Sequence, residues 1–470
     1  MKQQTLNTKH LNLMNVVLTV QTHFLGIVSP KLRKLPLSLF GIFGGFAAVD
    51  IPLWLEEAVR LLVVTVVSRF RRERPEREGE KLLVSSRGGL LNLKKPITSM
   101  SSREKRRKSS PSPTPPPPKS SPIPSLPYDL VLICVARISR LYYPTLSLVS
   151  KSFRSLVSSP ELYKTRSLLG FTETCLYVCL QSHRDEATWF TLCLKPGKTL
   201  KTGSSGYALA RVHVPSSPPS RFRNVVAVGS NIYNIALPRV PILDCKSHTW
   251  VEAPSLPVQL SSLSTSVLGR KIYVAGMDSS LKNSFEVFDT ETQIWDSVST
   301  KRKESFIFKE KTVSIDGKFH AVTNEEVVAY DPKEGKWEMV GGRMGWCMFS
   351  DAYCVIGNVL YSAFDGVFRW YDTEERIWSF LHGLVGLPRI TRDRVIRLAD
   401  YGGKMMVVWD QAGKPSSRYK EIWCAEIALE RRHDDDSENE IWGKVEWFDR
   451  MLKIKINTYY QVEKVLSTTV

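Results

Sequence analysis

Four times in this 470-residue chain an apolar or aromatic run ends in an aspartate and a tryptophan follows six positions later. The pairs are Asp244 and Trp250, Asp289 and Trp295, Asp331 and Trp337, and Asp372 and Trp378. Successive aspartates stand 45, 42 and 41 residues apart, a period in the range of propeller and solenoid arrays. Between these anchors lie short segments such as Arg270-Lys271-Ile272-Tyr273, Gly317-Lys318-Phe319-His320 and Asn358-Val359-Leu360-Tyr361. Bounded by Gly, Asn and Asp, they read as antiparallel strands. Each aspartate is expected to accept backbone amides in the turn that it starts. Each tryptophan is expected to fill the wedge between one four-stranded sheet and the next. Stacking such units around an axis closes the set and protects the sheet edges.

Five units are countable if the last runs from about Arg397 through Trp423 to Trp442, with a loop at Asp434 to Glu440 between two strands. Strands at Leu176 to Leu180 and Trp189 to Leu194 start a sixth unit, closed by the C-terminal strands, and six is favoured over five. Loops on one face of such a ring vary freely and carry recognition. The candidates are Ser279 to Lys282, Lys301 to Ser305, Arg343 to Trp346 and Arg389 to Arg394.

The formal charge of +18 is uneven. Residues 1–125 hold 21 basic and 8 acidic side chains, a balance of +13, which leaves +5 for the other 345 residues. The repeat region therefore has no excess of charge with which to hold phosphates, and nucleic acid is not an expected partner. The eight cysteines show no CxxC pair and no histidine at metal-ligand spacing, so they read as reduced core thiols, with no metal and no cofactor expected.

Residues 1–99 form an extension that is expected to be disordered or to lie outside the folded unit. Its apolar stretches, Pro36 to Ala48 and the charge-interrupted Ile51 to Val67, fall short of a membrane span. Residues 100–122 carry Lys105 to Lys108 and the run Pro115 to Pro118, and read as a basic, proline-rich linker. A natural start at Met100 would leave a coherent protein, an expectation that peptides from residues 1–99 would contradict.

From Ser125 a helix of about ten residues is expected, with Leu130, Ile133, Cys134 and Ile138 at helical spacing. A second apolar set, Leu146, Val149, Phe153, Leu156 and Val157, repeats at steps of three and four until Ser158, Ser159 and Pro160. Some 45 residues cannot bury all these side chains alone, so the module is expected to need a partner surface.

The ordered set Leu126-Pro127-x-Asp129-Leu130, Ala136-Arg137-Ile138-Ser139, Leu146-x-Leu148-Val149-Ser150-Lys151-Ser152-Phe153-Arg154-Ser155-Leu156 and Ser159-Pro160-Glu161-Leu162 resembles an F-box. Ser150 and Phe153 stand where Cys and Trp are usual. The repeats resemble kelch repeats with most of their paired glycines missing, Ala275-Gly276 being the nearest trace. Together the two regions look like the plant F-box/kelch-repeat family.

The resemblance implies a multidomain chain: a three-helix F-box at 123–168, an all-β kelch-type propeller at 171–450 and a C-terminal tail at 451–470. It implies docking on the Skp-type adaptor of a cullin-based (SCF) ubiquitin ligase, with Leu126, Pro127, Leu130, Val149 and Phe153 as contact positions and a target protein on the propeller. The chain would then be a substrate adaptor of the nucleus or cytoplasm with no catalytic residue of its own. Two other readings stay open, a scaffold that binds the adaptor without delivering targets and a kelch enzyme, although the copper chemistry of some kelch propellers needs clustered His and Tyr, and His183, His213, His248, His320 and His382 stand apart. There is no P-loop, GxSxG or HExxH.

Overall fold

The computed structural model describes residues 127–182, 187–195, 205–214, 222, 224–235, 239–298, 307–341, 343–391, 394–412, 419–432, 440–455 and 460–470. The extension, the basic linker, Leu126, the loop 301–305 and most of the loop 434–440 lie outside the described residues.

The front of the described chain is helical. α1 (Tyr128–Ala136) begins after Pro127, whose fixed φ suits a helix start. A single 3-10 turn (Arg140–Tyr142) leads into α2 (Tyr143–Val149), followed by α3 (Lys151–Val157) and α4 (Pro160–Leu168). The apolar set from Leu146 to Val157 is thus two helices rather than one. Ser150 breaks the run with an extended backbone, and its hydroxyl accepts from Phe153 N at 3.1 Å. Ser159 caps α4 in the same way through Leu162 N. The three-helix expectation becomes four short helices because each serine competes with the helix for the next amide.

The rest of the described chain is built on six four-stranded antiparallel sheets, with 3-10 turns at Met344–Cys347 and Phe364–Gly366. The first blade holds β1 (Thr174–Ser182), β2 (Ala187–Leu194) and β3 (Tyr207–Arg211). The second is β4 (Val225–Val228), β5 (Asn231–Asn234), β6 (Val240–Asp244) and β7 (Thr249–Ala253). The third is β8 (Ser261–Leu268), β9 (Lys271–Met277), β10 (Asn283–Asp289) and β11 (Ile294–Ser297). The fourth is β12 (Phe308–Ile315), β13 (Lys318–Thr323), β14 (Val327–Asp331) and β15 (Lys336–Met339). The fifth is β16 (Tyr353–Ile356), β17 (Val359–Ser362), β18 (Arg369–Asp372) and β19 (Ile377–Phe380). The sixth is β20 (Ile396–Tyr401), β21 (Lys404–Ala412), β22 (Tyr419–Arg432) and β23 (Glu440–Lys455). Finally β24 (Tyr460–Thr469) pairs antiparallel with β1, from Thr174 opposite Thr469 to Ser182 opposite Tyr460.

Residues 451–470, expected to trail the propeller, therefore complete it. The end of β23 and all of β24 belong to sheets, and β24 is the innermost strand of the first blade. Joining the two ends of the chain in one sheet closes the ring and leaves no free edge at the seam. The first strands of successive blades contact one another around the axis, with β24 between β20 and β4.

The repeated Asp and Trp have one local geometry. Asp244, Asp289, Asp331 and Asp372 each pair across the hairpin with the residue five positions on. Their Oδ1 atoms accept from the amides of Lys246, Glu291, Lys333 and Glu374 at 2.8 to 2.9 Å. The amides of Lys333 and Glu334 hold the Asp331 carboxyl below the usual carboxylate range. The fourth residue after the aspartate has a positive φ in every copy: His248, Gln293, Gly335 and Arg376. Each tryptophan then sits opposite the residue before the aspartate: Leu243, Phe288, Tyr330 and Tyr371. Ring centroids are 4.9 Å apart for Phe288 and Trp295, 5.2 Å for Tyr330 and Trp337, and 5.3 Å for Tyr371 and Trp378.

The tryptophans face the preceding blade, as expected, but lie at its outer margin and are only partly buried. Trp295 Nε1 donates to Pro254 O and Trp378 Nε1 to Arg343 O, each carbonyl lying in the chain that links the previous blade to this one. The fully buried wedge is filled by other rings. Between the third and fourth blades Phe285 packs on Phe319 at 4.9 Å and on Trp337 at 4.8 Å.

Candidate functional site

Two faces of the ring can be told apart by strand direction. In every blade, counting outward from the axis with β24 as the inner strand of the first, the innermost strand ends and the hairpin between third and fourth strands turns on the same face. The helical module meets that face. Arg140 Nη2 donates to Cys245 O at 2.9 Å, inside the hairpin that follows Asp244, while its guanidinium lies over the Tyr163 ring at 5.3 Å. Tyr177 OH donates to the same Cys245 carbonyl at 3.1 Å and lies 3.0 Å from His248 Nε2.

The junction is fixed by a second cation. Arg166 on α4 is buried, and its Nη1 donates to Ala136 O, Ile138 O and Tyr143 OH at 2.7 to 3.1 Å. Its Nη2 pairs with Glu173 Oε1 at 2.8 Å. Glu173 also accepts from Ser139 Oγ at 2.8 Å and from Arg140 N, and its backbone exchanges two 3.0 Å hydrogen bonds with Val470. Glu173 thus joins α4 and the 3-10 turn through its carboxylate, and Val470 through its backbone, just before β1. Such a charge-assisted network holds a domain junction at a defined angle.

The helical module keeps apolar side chains in water. Leu148 is 74% exposed and Leu168 78%, with Ile133 and Leu169 also exposed. Of the five positions implied as adaptor contacts, Pro127 is exposed, Leu130 and Val149 are partly buried, and Leu126 lies outside the described residues. Phe153 is buried, as are Leu146, Leu156 and Leu162 of the same helical module.

On the opposite face run the second-to-third strand turns and the links between blades. The loops 279–282 and 343–346, and the described parts of 389–394, all lie there, as expected of recognition loops. Leu281 is 76% exposed, Trp346 65% and Phe349 60%. Large exposed apolar groups of this kind mark contact surfaces. The axis opens on this face into a polar cavity of about 440 Å³, lined by residues near the starts of the inner strands, including Lys311, Tyr353 and Arg397, and by Glu463 and Lys464 of β24.

Among the described residues no three of His, Cys, Asp and Glu converge as metal ligands, and no helix is long and apolar enough to cross a membrane. All eight cysteines are free thiols. His248 and His320 are both pushed down to about 4, chiefly by burial.

Arg140, Arg166, Glu173 and Lys464 were not singled out by the sequence reading. Arg166 carried a signal, since it falls four residues after Leu162 and three after Tyr163, on the buried side of α4. A charge in phase with a helix core needs a partner.

The family model described as FKB95, Kelch-repeats domain, matches residues 189–452, and the F-box domain model matches residues 123–165. The chain is similar to three curated proteins of Arabidopsis thaliana. It is 52% identical to F-box/kelch-repeat protein At5g51250 over 70% of this chain and 96% of that one. It is 48% identical to F-box/kelch-repeat protein At4g39550 over 79% and 100%, and 45% identical to F-box/kelch-repeat protein At4g39570 over 74% and 93%.

Proposed function

The chain belongs to the F-box/kelch-repeat family, and from that premise we propose that it is the substrate-recognition subunit of an SCF-type ubiquitin ligase. The helical module docks on a Skp-type adaptor and through it on a cullin, while the propeller holds a target protein. Ubiquitin transfer is then accelerated by holding the target near the transfer machinery, and no residue of this chain takes part in the chemistry.

The observation that carries this reading is the placement of the two surfaces. The helices are clamped through Arg140, Arg166 and Glu173 to one face of the ring. The variable loops and the axial opening occupy the other. A target on the open face leaves the adaptor side clear, and the stiff junction keeps the distance between them constant. Free, buried thiols favour a reducing compartment, and nucleus or cytoplasm is the location proposed.

The test is proximity labelling with the full chain and with a chain lacking residues 123–168. Proteins labelled by both, and more abundant in cells that express the shortened chain, are the expected targets. If the full chain captures the adaptor but no labelled protein changes abundance, it is a scaffold and not a delivery subunit.

A further inference from the structure

We propose that the axial cavity on the open face of the ring is a binding site for a carboxylate, held between Lys464 and Arg397. The proposal goes beyond target recognition and does not depend on attachment to a ligase.

The cavity is walled mainly by the inner strands, so Arg397, Glu463 and Lys464 are set by rigid sheets, while Asp351 lies in the link just before β16. Arg397 lies at the second position of β20, and its guanidinium is oriented by donation from Nε to Glu463 O and from Nη1 to Ile396 O, both at 3.0 Å. Lys464 projects from β24, the strand that closes the ring. Around it stand Glu310, Lys311, Asp351, Arg397 and Glu463. Two of the carboxylates are already engaged: Asp351 pairs with Lys311, and Glu463 accepts from Gln461 Nε2 at 2.8 Å.

Among the described residues the Lys464 side chain, unlike those of Lys311 and Arg397, makes no hydrogen bond or ion pair, although Asp351 and Glu463 lie near enough to attract its charge. A partly buried amine beside a guanidinium, without a partner, is costly in the empty protein. Burial first, and the Arg397 charge second, push Lys464 down to about 8. An anion between the two cations offsets that conflict and makes the amine hold its proton more tightly. A planar carboxylate suits a guanidinium oriented in this way. A cavity of about 440 Å³ is large enough for a small organic acid, or for an acidic side chain reaching in from a bound protein.

The test uses the full chain in isothermal titration with succinate, benzoate and a hexaglutamate peptide, each against chloride at matched ionic strength. At least one probe is expected to bind, at least tenfold more weakly in Lys464→Met and within a few-fold of the native affinity in Lys464→Arg. Binding of hexaglutamate alone assigns the site to an acidic protein segment, and binding of succinate or benzoate assigns it to a small acid. Affinity for the native chain is also expected to fall about tenfold between pH 7 and pH 9, as the amine loses its proton. The pH arm decides the matter if Lys464→Met does not fold. No binding of any probe up to about 10 mM, equal binding by Lys464→Met, or an affinity unchanged from pH 7 to 9 overturns the proposal.

Discussion

Arg166 and Glu173 meet at 2.8 Å across the boundary between the helical module and the propeller, with the arginine side chain only 3% exposed. A buried cation depends on its carboxylate far more than a surface one does, because the alternative is an uncompensated charge in a poorly solvated site. The pair makes the two domains one mechanical unit.

Replacing Glu173 with alanine should therefore cost about 3 kcal/mol in chemical denaturation. It should also speed amide hydrogen exchange at Arg140, whose N–H donates to the same carboxylate. Equal stability of Glu173→Ala and the native chain would show that the pair contributes nothing net.

Two of the margin tryptophans, Trp295 and Trp378, combine packing with a hydrogen bond to the link before their blade. Trp295→Phe should lose about 1 kcal/mol with the bond to Pro254 O, and Trp295→Ala about 2 kcal/mol, below the range for a fully buried ring. Phe285→Ala, deep between the third and fourth blades, should cost about 4 kcal/mol. Thermal melts of the three variants should rank in that order. A larger effect for Trp295→Ala than for Phe285→Ala would contradict the placement of the wedge.

Acid should weaken the fold through two histidines. His248 and His320 both stand at about 4, below the ordinary value of 6.5, mainly because burial opposes their charge. The unfolded chain therefore binds more protons than the folded one between about pH 6.5 and pH 4. Their contribution is fully present above pH 6.5 and declines as pH falls toward 4, by on the order of 3 kcal/mol for each group. Denaturation series across this window should show a shallower pH slope for His320→Leu than for the native chain. An unchanged slope would mean that His320 is not buried as a neutral ring.

The repeat could be read from the sequence because its chemistry is local. The Asp carboxylate, the positive φ four residues later and the tryptophan opposite residue i−1 all fall within one hairpin, so their spacing survives on the page. Glycine was a poor guide, since three of the four positive-φ positions hold His248, Gln293 and Arg376. The pairing of Thr174 with Thr469 gave no comparable signal, and residues 451–470 read as a tail because such a contact is set by closure of the whole ring. For the same reason the sequence carried no sign of what faces Lys464 across the axis. In the helical module, spacing found Phe153 among the apolar set, but spacing alone does not separate a core position from a contact position.

Leu148 offers the most direct test of adaptor docking, because at 74% exposure it contributes little to the fold. The measurement is the affinity of the full chain and of Leu148→Asp for a purified Skp-type adaptor, with melting temperatures recorded for both. The native chain should bind, and the variant should bind at least tenfold more weakly, about 1.4 kcal/mol, with its melting temperature unchanged. Failure of the native chain to bind, or equal binding by the variant, would contradict docking through this face.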